Sequence, residues 1–183
     1  MIRRILRDDV EDVGSYIAEV IYGANDGIVT TFAVVAGVAG AALDPPIVLI
    51  LGIANLFADG FSMGASNYLS QRSTQDYEAA KGRFQATRPP RFTAITTFLA
   101  FVIAGWTPLL PYVLEIQFGV DLAGASTFSI SLIAAAFAFF VVGSTRSLVT
   151  DRSWYRAGGE MLAVGMIAAS VAYAVGTLLG GLA

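Results

Sequence analysis

Apolar residues along this chain fall into five long blocks separated by short polar breaks, at about 22–43, 47–69, 92–114, 122–143 and 159–182. Each block has the roughly 20 residues that an α-helix needs to cross a hydrocarbon core of about 30 Å. The breaks carry helix-stopping punctuation. Asp44-Pro45-Pro46 follows the first block, where two prolines cannot continue a helix, and Pro89-Pro90 precedes the third. Pro108 and Pro111 are expected to kink or end the third helix near the outer surface. The pattern predicts an all-α integral membrane protein of five transmembrane helices, with 1–183 forming a single membrane domain. The start, Met1-Ile-Arg-Arg-Ile-Leu-Arg7, runs into acidic Asp8-Asp-Val-Glu-Asp12, so it reads as an amphipathic lead-in and not a signal peptide.

The basic residues set the orientation. Arg3, Arg4 and Arg7 precede block one. Arg72, Lys81, Arg83, Arg88 and Arg91 lie between blocks two and three, and Arg146, Arg152 and Arg156 lie between blocks four and five. Together these are all 11 Lys and Arg of the chain. Cytoplasmic connections carry the excess of positive charge, which predicts a cytoplasmic N-terminus and a C-terminus on the opposite side, as an odd number of spans requires. Residues 71–91 are then expected to form a short basic cytoplasmic loop.

Composition strengthens the membrane reading and narrows the chemistry. Apolar residues make up 56% and charged residues 14%, against roughly 25% charged in soluble domains, and the mean hydropathy is +0.68. There is no cysteine and no histidine. That removes disulfides, thiolate chemistry, Cys/His zinc sites and every Ser/His or Cys/His nucleophilic device. Without them a nucleophile and base could come only from Lys or carboxylates, and Lys81 lies in a loop, so the chain does not read as an enzyme. A net charge of -3 with no clustered basic face argues against a nucleic-acid partner.

Acids inside a bilayer cost a few kcal/mol on insertion scales and are expected to face a polar interior with a use. Two lie within the blocks, Asp26 and Asp59. Asp26 has Asn25, Thr30 and Thr31 as neighbouring oxygen donors, with Thr30 on its own helix face. On the second helix Asn55, Asp59, Met63 and Asn67 recur every four residues, which gives one face two amides, a carboxylate and a thioether. Such a face suits a divalent cation of intermediate softness, with ferrous iron and manganese as the candidates. Carboxylates must lose protons to bind metal, so Asp26 and Asp59 are also the candidate proton sites. Plainer roles exist for each: interhelical hydrogen bonding for the Asp, Asn and Thr side chains, and core packing for Met63. Glu160, another candidate for the pathway, sits near the start of the fifth helix, where an acid complements the helix dipole. Gly23 with Gly27, Gly60 with Gly64, and Gly176 with Gly180 form Gly-x-x-x-Gly pairs. Two of these flank the acids, which predicts tight packing of helix one on helix two.

The stretches Asn25-Asp-Gly-Ile-Val-Thr-Thr-Phe-Ala-Val-Val-Ala-Gly-Val-Ala-Gly-Ala41 and Ala58-Asp-Gly-Phe-Ser-Met-Gly-Ala-Ser-Asn-Tyr-Leu-Ser70 resemble the vacuolar iron transporter family. Pro108-Leu-Leu-Pro-Tyr112, Gly159-Glu-Met-Leu-Ala-Val-Gly165 and Ala172-Tyr-Ala-Val-Gly176 fit it too. The resemblance implies five membrane helices, export of ferrous iron or manganese from the cytosol by metal-proton antiport, and a homodimer with the ion path near its interface. By position, Asp26, Asp59 and Met63 would line that path. There are two departures. Residues 71–91 stand where family transporters with a cytoplasmic metal-binding domain carry a long Glu-rich insertion, and Asn67 replaces the Glu of the family's Ser-Met-Gly-x-x-Glu-Tyr pattern.

The expectation is therefore a dimeric Fe²⁺ or Mn²⁺ transporter with no permanently bound cofactor. Its partners are the metal ion, protons, the lipid bilayer and a second copy. A passive cation pathway and a non-transporting membrane scaffold of the same fold are the alternatives. Five spans do not divide into two equal inverted halves, which leaves symmetry to a second subunit. A short chain without targeting extensions fits a prokaryotic cytoplasmic membrane.

Overall fold

The computed structural model describes residues 2–83, 89–120, 126–148, 150 and 152–182, with side chains from residue 16 onward. Among these the regular elements are helical: α1 (Ile2–Gly40), α2 (Pro45–Ala80), α3 (Pro90–Gly105), α4 (Leu110–Phe118), α5 (Thr127–Thr145) and α6 (Trp154–Leu179). A single 3₁₀ turn, Thr107–Leu109, joins α3 to α4, and similar turns follow α5 and α6. Five stretches are long and apolar enough to cross a membrane: Tyr16–Gly40, Pro45–Ala80, Pro90–Phe118, Thr127–Leu148 and Trp154–Leu182.

The element ends follow from local chemistry. Ala42 takes φ +55 and Asp44 is extended, so the chain reverses and enters α2 with proline at its first position, where the missing N–H is not needed. Helix α2 runs well past 69. Residues 71–80, expected as loop, continue the helix because nothing breaks it before Gly82 (φ +69), and Arg72 pairs with Asp76 one turn on at 3.5 Å. At about 1.5 Å per residue, the 36 residues of α2 reach about 54 Å, far beyond a hydrocarbon core. Its last turns therefore project from the bundle. Pro108 and Pro111 interrupt the third span without ending it. The carbonyl of Pro108 accepts a buried hydrogen bond from the Ser131 hydroxyl of α5 at 2.6 Å, so the broken ladder is repaired from a neighbouring helix. Helix α6 begins at Trp154, not near 159. The expected start of the fourth span at 122, and Arg88 of the basic segment, lie outside the described residues.

Helix α1 is the central element. Its Ile28, Phe32 and Val35 are fully buried and share a core with Leu56 of α2, Phe101 of α3 and Phe139 of α5. The outward side chains of the other spans, such as Ile50, Ile103, Ile133 and Leu178, are apolar and exposed, as a lipid-facing surface requires.

The glycine pairs do not join α1 to α2 directly as expected; α3 receives both. A Cβ on Gly27 would lie 2.3 Å from the Phe101 carbonyl oxygen, and one on Gly23 would lie 2.5 Å from that of Thr97. On α2, Gly60 lies against Phe98 and Phe101, and Gly64 against Ala94 and Phe98. The third pair, Gly176 and Gly180, sits α6 on Gly37 and Ala41 of α1.

Candidate functional site

Helices α1 and α2 are antiparallel, and α3 holds them so that Asp26 and Asp59 face a common region. Both side chains are half-buried. The two carboxylates are near enough for their negative charges to act on one another across the helix interface.

A polar cavity of about 320 Å³ opens one turn away, toward the end of the bundle where the basic residues gather. Tyr22 lines it from α1, and Met63, Ser66, Asn67, Ser70 and Gln71 line it from α2. Tyr22 precedes Asp26 by one turn and Met63 follows Asp59 by one turn, so the cavity lies one helical turn from each carboxylate. Asp26, Asp59, Met63 and Asn67 are thus gathered at one seam. The Asn67 side-chain amide donates to Thr97 Oγ1 at 2.9 Å, and the Thr97 hydroxyl donates in turn to the Thr93 carbonyl at 2.9 Å. With its proton committed to the backbone, Thr97 offers position 67 an acceptor. An amide can meet that acceptor, whereas an ionised carboxylate has no hydrogen to give.

The remaining candidates are placed differently. Asn55 lies on the Asp59 face one turn deeper, half-buried, with a buried Nδ2 that has no hydrogen-bond partner among the described residues. The Thr30 hydroxyl donates to the Asp26 backbone carbonyl at 2.9 Å, which leaves only its lone pairs for a cation. Thr31 is fully buried toward Gly105 of α3, away from the pair. Asn25 and Glu160 line a second cavity of about 750 Å³ between α1 and α6, with Tyr22 on the wall shared by both cavities. The helix-dipole role expected of Glu160 is not what the structure shows, because α6 starts at Trp154 and has no acid in its first turn. Glu160 instead accepts from Arg152 at 2.7 Å and lies 3.7 Å from Arg146.

Glu19 escaped the sequence reading. It is only 9% exposed and precedes Asp26 by seven residues, which puts both on one helix face. That spacing was the available signal; starting the first apolar block at 22 left Glu19 outside it, whereas the membrane-crossing stretch of α1 includes it. Among the described residues, no three Asp or Glu side chains converge as a ready metal cage. The candidate donors along this seam are the two carboxylates and, lining the cavity, the Met63 thioether, the Tyr22 phenol and the Asn67 amide oxygen.

Fold and site together define a polytopic helical membrane protein with opposed carboxylates inside its spans. The VIT family model matches residues 17–88 and 81–177, two segments that meet in the connection between α2 and α3. The chain belongs to the VIT family. It is similar to the "Vacuolar iron transporter" of Plasmodium falciparum (isolate 3D7), with 47% identity over 62 residues, covering 34% of this chain and 23% of that protein. A Toxoplasma gondii protein of the same name is 48% identical over 69 residues, 37% of this chain and 23% of its own length. In both cases the match spans less than a quarter of the relative. "Vacuolar iron transporter 1" of Arabidopsis thaliana is 25% identical over 217 aligned positions, covering 87% of this chain and 84% of that protein. Those 217 positions exceed the 183 residues of the chain, so the relative carries segments that this chain lacks.

Proposed function

We propose that this chain is a secondary transporter that carries Fe²⁺ or Mn²⁺ out of the cytosol in exchange for protons, with Asp26 and Asp59 binding metal and protons by turns and Met63 as the softer ligand. The observation that carries the reading is that α1 and α2 each place a half-buried acid, Asp26 and Asp59, in a membrane-crossing stretch, one turn from a polar cavity lined by Tyr22, Met63 and Asn67. Two carboxylates in an apolar surrounding need a positive counter-charge. A divalent cation and protons can each supply it, and their competition links the two fluxes. The names of the relatives from Plasmodium, Toxoplasma and Arabidopsis agree with iron as cargo.

The working unit in this reading is a homodimer. Asp26, Asn25 and Asp59 are only half-buried on helices that cross the membrane. A second copy laid over that face would screen them from lipid and bring further donors to a set that the described residues of one chain leave incomplete. The N-terminus is cytoplasmic, because the arginines of the α2–α3 and α5–α6 connections gather at one end. The short α2–α3 connection replaces a cytoplasmic metal-binding domain, so cations reach the cavity from bulk cytosol. The relatives are named for the vacuole, so they lend no support to the prokaryotic cytoplasmic membrane expected from the sequence.

The test is uptake of Fe²⁺ and Mn²⁺ into proteoliposomes that hold the purified chain and an internal pH dye, comparing wild type with Asp59→Asn. Metal influx with proton exit, abolished in the variant, is the expected result. Influx without a proton signal would establish a passive pathway. No influx of either metal under any pH gradient would leave a scaffold.

A further inference from the structure

The face of α2 that turns away from the candidate site carries a second feature. Phe61 and Ala65 each lie two residues beyond Asp59 and Met63, about 200° around the helix. There an apolar groove of about 490 Å³ runs along the α2–α3 seam. Gly64 lies at its floor, where α2 and α3 come so close that a Cβ there would stand 3.0 Å from the Ala94 carbonyl oxygen. Phe61 (72% exposed), Leu69 (62%) and Ile95 (53%) form its rims. Both helices are membrane-crossing, so this groove opens onto lipid tails.

One end of the groove is not apolar. Arg91, exposed in the first turn of α3, lies at its mouth together with Tyr68. Four other arginines, Arg72, Arg83, Arg146 and Arg152, each have a carboxylate within 4 Å. Arg91 has none among the described residues, and its guanidinium rests 5.0 Å from the Phe92 ring. It stands where the apolar span begins, which is headgroup depth, and a tyrosine beside it is typical of that boundary.

We propose that this groove is a binding site for an anionic phospholipid. One acyl chain lies between the Phe61 and Ile95 rims over Gly64, and the phosphate is held by the exposed Arg91 guanidinium, whose planar fork matches phosphate oxygens. A zwitterionic lipid offers the same chain and phosphate, but its ammonium cancels the attraction. The site therefore selects by net charge, and one cation near an anionic leaflet is worth about fivefold in binding. The groove lies on the opposite side of α2 from Asp59, so it is independent of the metal reading.

The experiment is native mass spectrometry of the full chain in neutral detergent, titrated with phosphatidylglycerol or phosphatidylcholine of identical acyl chains. Wild type is expected to retain phosphatidylglycerol about fivefold better. Arg91→Gln should bring the two lipids to parity, Arg91→Lys should restore part of the preference, and Ala65→Phe, which fills the groove, should release both. Phe61→Ala removes an exposed rim without touching the core and should weaken both lipids, which guards against misfolding of the Ala65 variant. An unchanged preference in Arg91→Gln would place the headgroup elsewhere and overturn the proposal. So would equal retention of both lipids by wild type, or a loss of oligomer with lipid retention intact in Ala65→Phe, which would assign the groove to a second copy.

Discussion

Gly27→Ala tests whether the α1–α3 approach sets the geometry of the carboxylate pair. The added Cβ would stand 2.3 Å from the Phe101 carbonyl oxygen, 2.9 Å from its carbonyl carbon and 3.0 Å from its Cα. Ordinary C···O contacts lie at about 3.3 Å or more, so the helices must part by about 1 Å. All three obstructing atoms are backbone, so no rotamer change relieves them. Overpacking of this kind costs about 1–3 kcal/mol, and separating the helices also gives up close Cα–H···O contacts worth about 0.5–1 kcal/mol each. The higher helix propensity of alanine returns at most about 1 kcal/mol. A net loss of about 1–3 kcal/mol is expected. Gly159→Ala is the control, because nothing lies within 4 Å of its Cβ position, and it should be neutral or slightly stabilising. Gly40→Ala meets the Tyr173 carbonyl oxygen at 2.3 Å, an equal clash far along α1 from Asp26. The assay is thermal unfolding in detergent, paired with metal uptake per folded molecule in proteoliposomes. Gly27→Ala and Gly40→Ala should both melt early, but only the former should lose uptake, since it shifts the neighbouring Asp26. If Gly27→Ala melts with Gly159→Ala at or above wild type, the close approach is not what holds α1 to α3.

Other outcomes follow from single contacts. Thr97→Val removes the acceptor of the Asn67 amide and should cost about 1 kcal/mol. A double-mutant cycle with Asn67→Ala should show coupling, and strict additivity would mean that the bond contributes nothing. Asn55→Leu removes a buried Nδ2 that has no hydrogen-bond partner among the described residues and should raise stability by about 1 kcal/mol while slowing metal uptake; unimpaired uptake would remove Asn55 from the path. Glu160→Gln breaks exposed ion pairs with Arg146 and Arg152, so it should lower stability by no more than about 1 kcal/mol at low salt and by nothing measurable near 1 M. A large, salt-independent loss would show that the pairs are structural anchors.

The membrane architecture was legible because apolar block length and proline punctuation act locally. The Asp44-Pro45-Pro46 turn and the proline break in the third span fall where the sequence puts them. Element ends were less legible: residues 71–80 are polar enough for a loop, yet nothing in them stops a helix, and polarity alone does not end one. The glycine pairs showed that helices approach closely without showing which helix fills each notch. That depends on the third dimension, where α3 serves both. On the site, the four-residue row on α2 did mark one face, and its Met63 and Asn67 line one cavity. Glu160 went the other way, since its partners Arg146 and Arg152 are remote in local pattern and are brought to it by the α5–α6 reversal.

The seating of α3 against glycines on both α1 and α2 separates two jobs along the same helices. The distance between α1 and α2 is set by their contacts with α3 on one set of faces, while the side chains at 26, 59 and 63 project from others. Substitutions at those three positions can therefore alter charge, softness and hydration without re-spacing the helices. In the proposed reading, a change of cargo is open to single-residue steps at the site, while the glycines that seat α3 on its neighbours are closed to change.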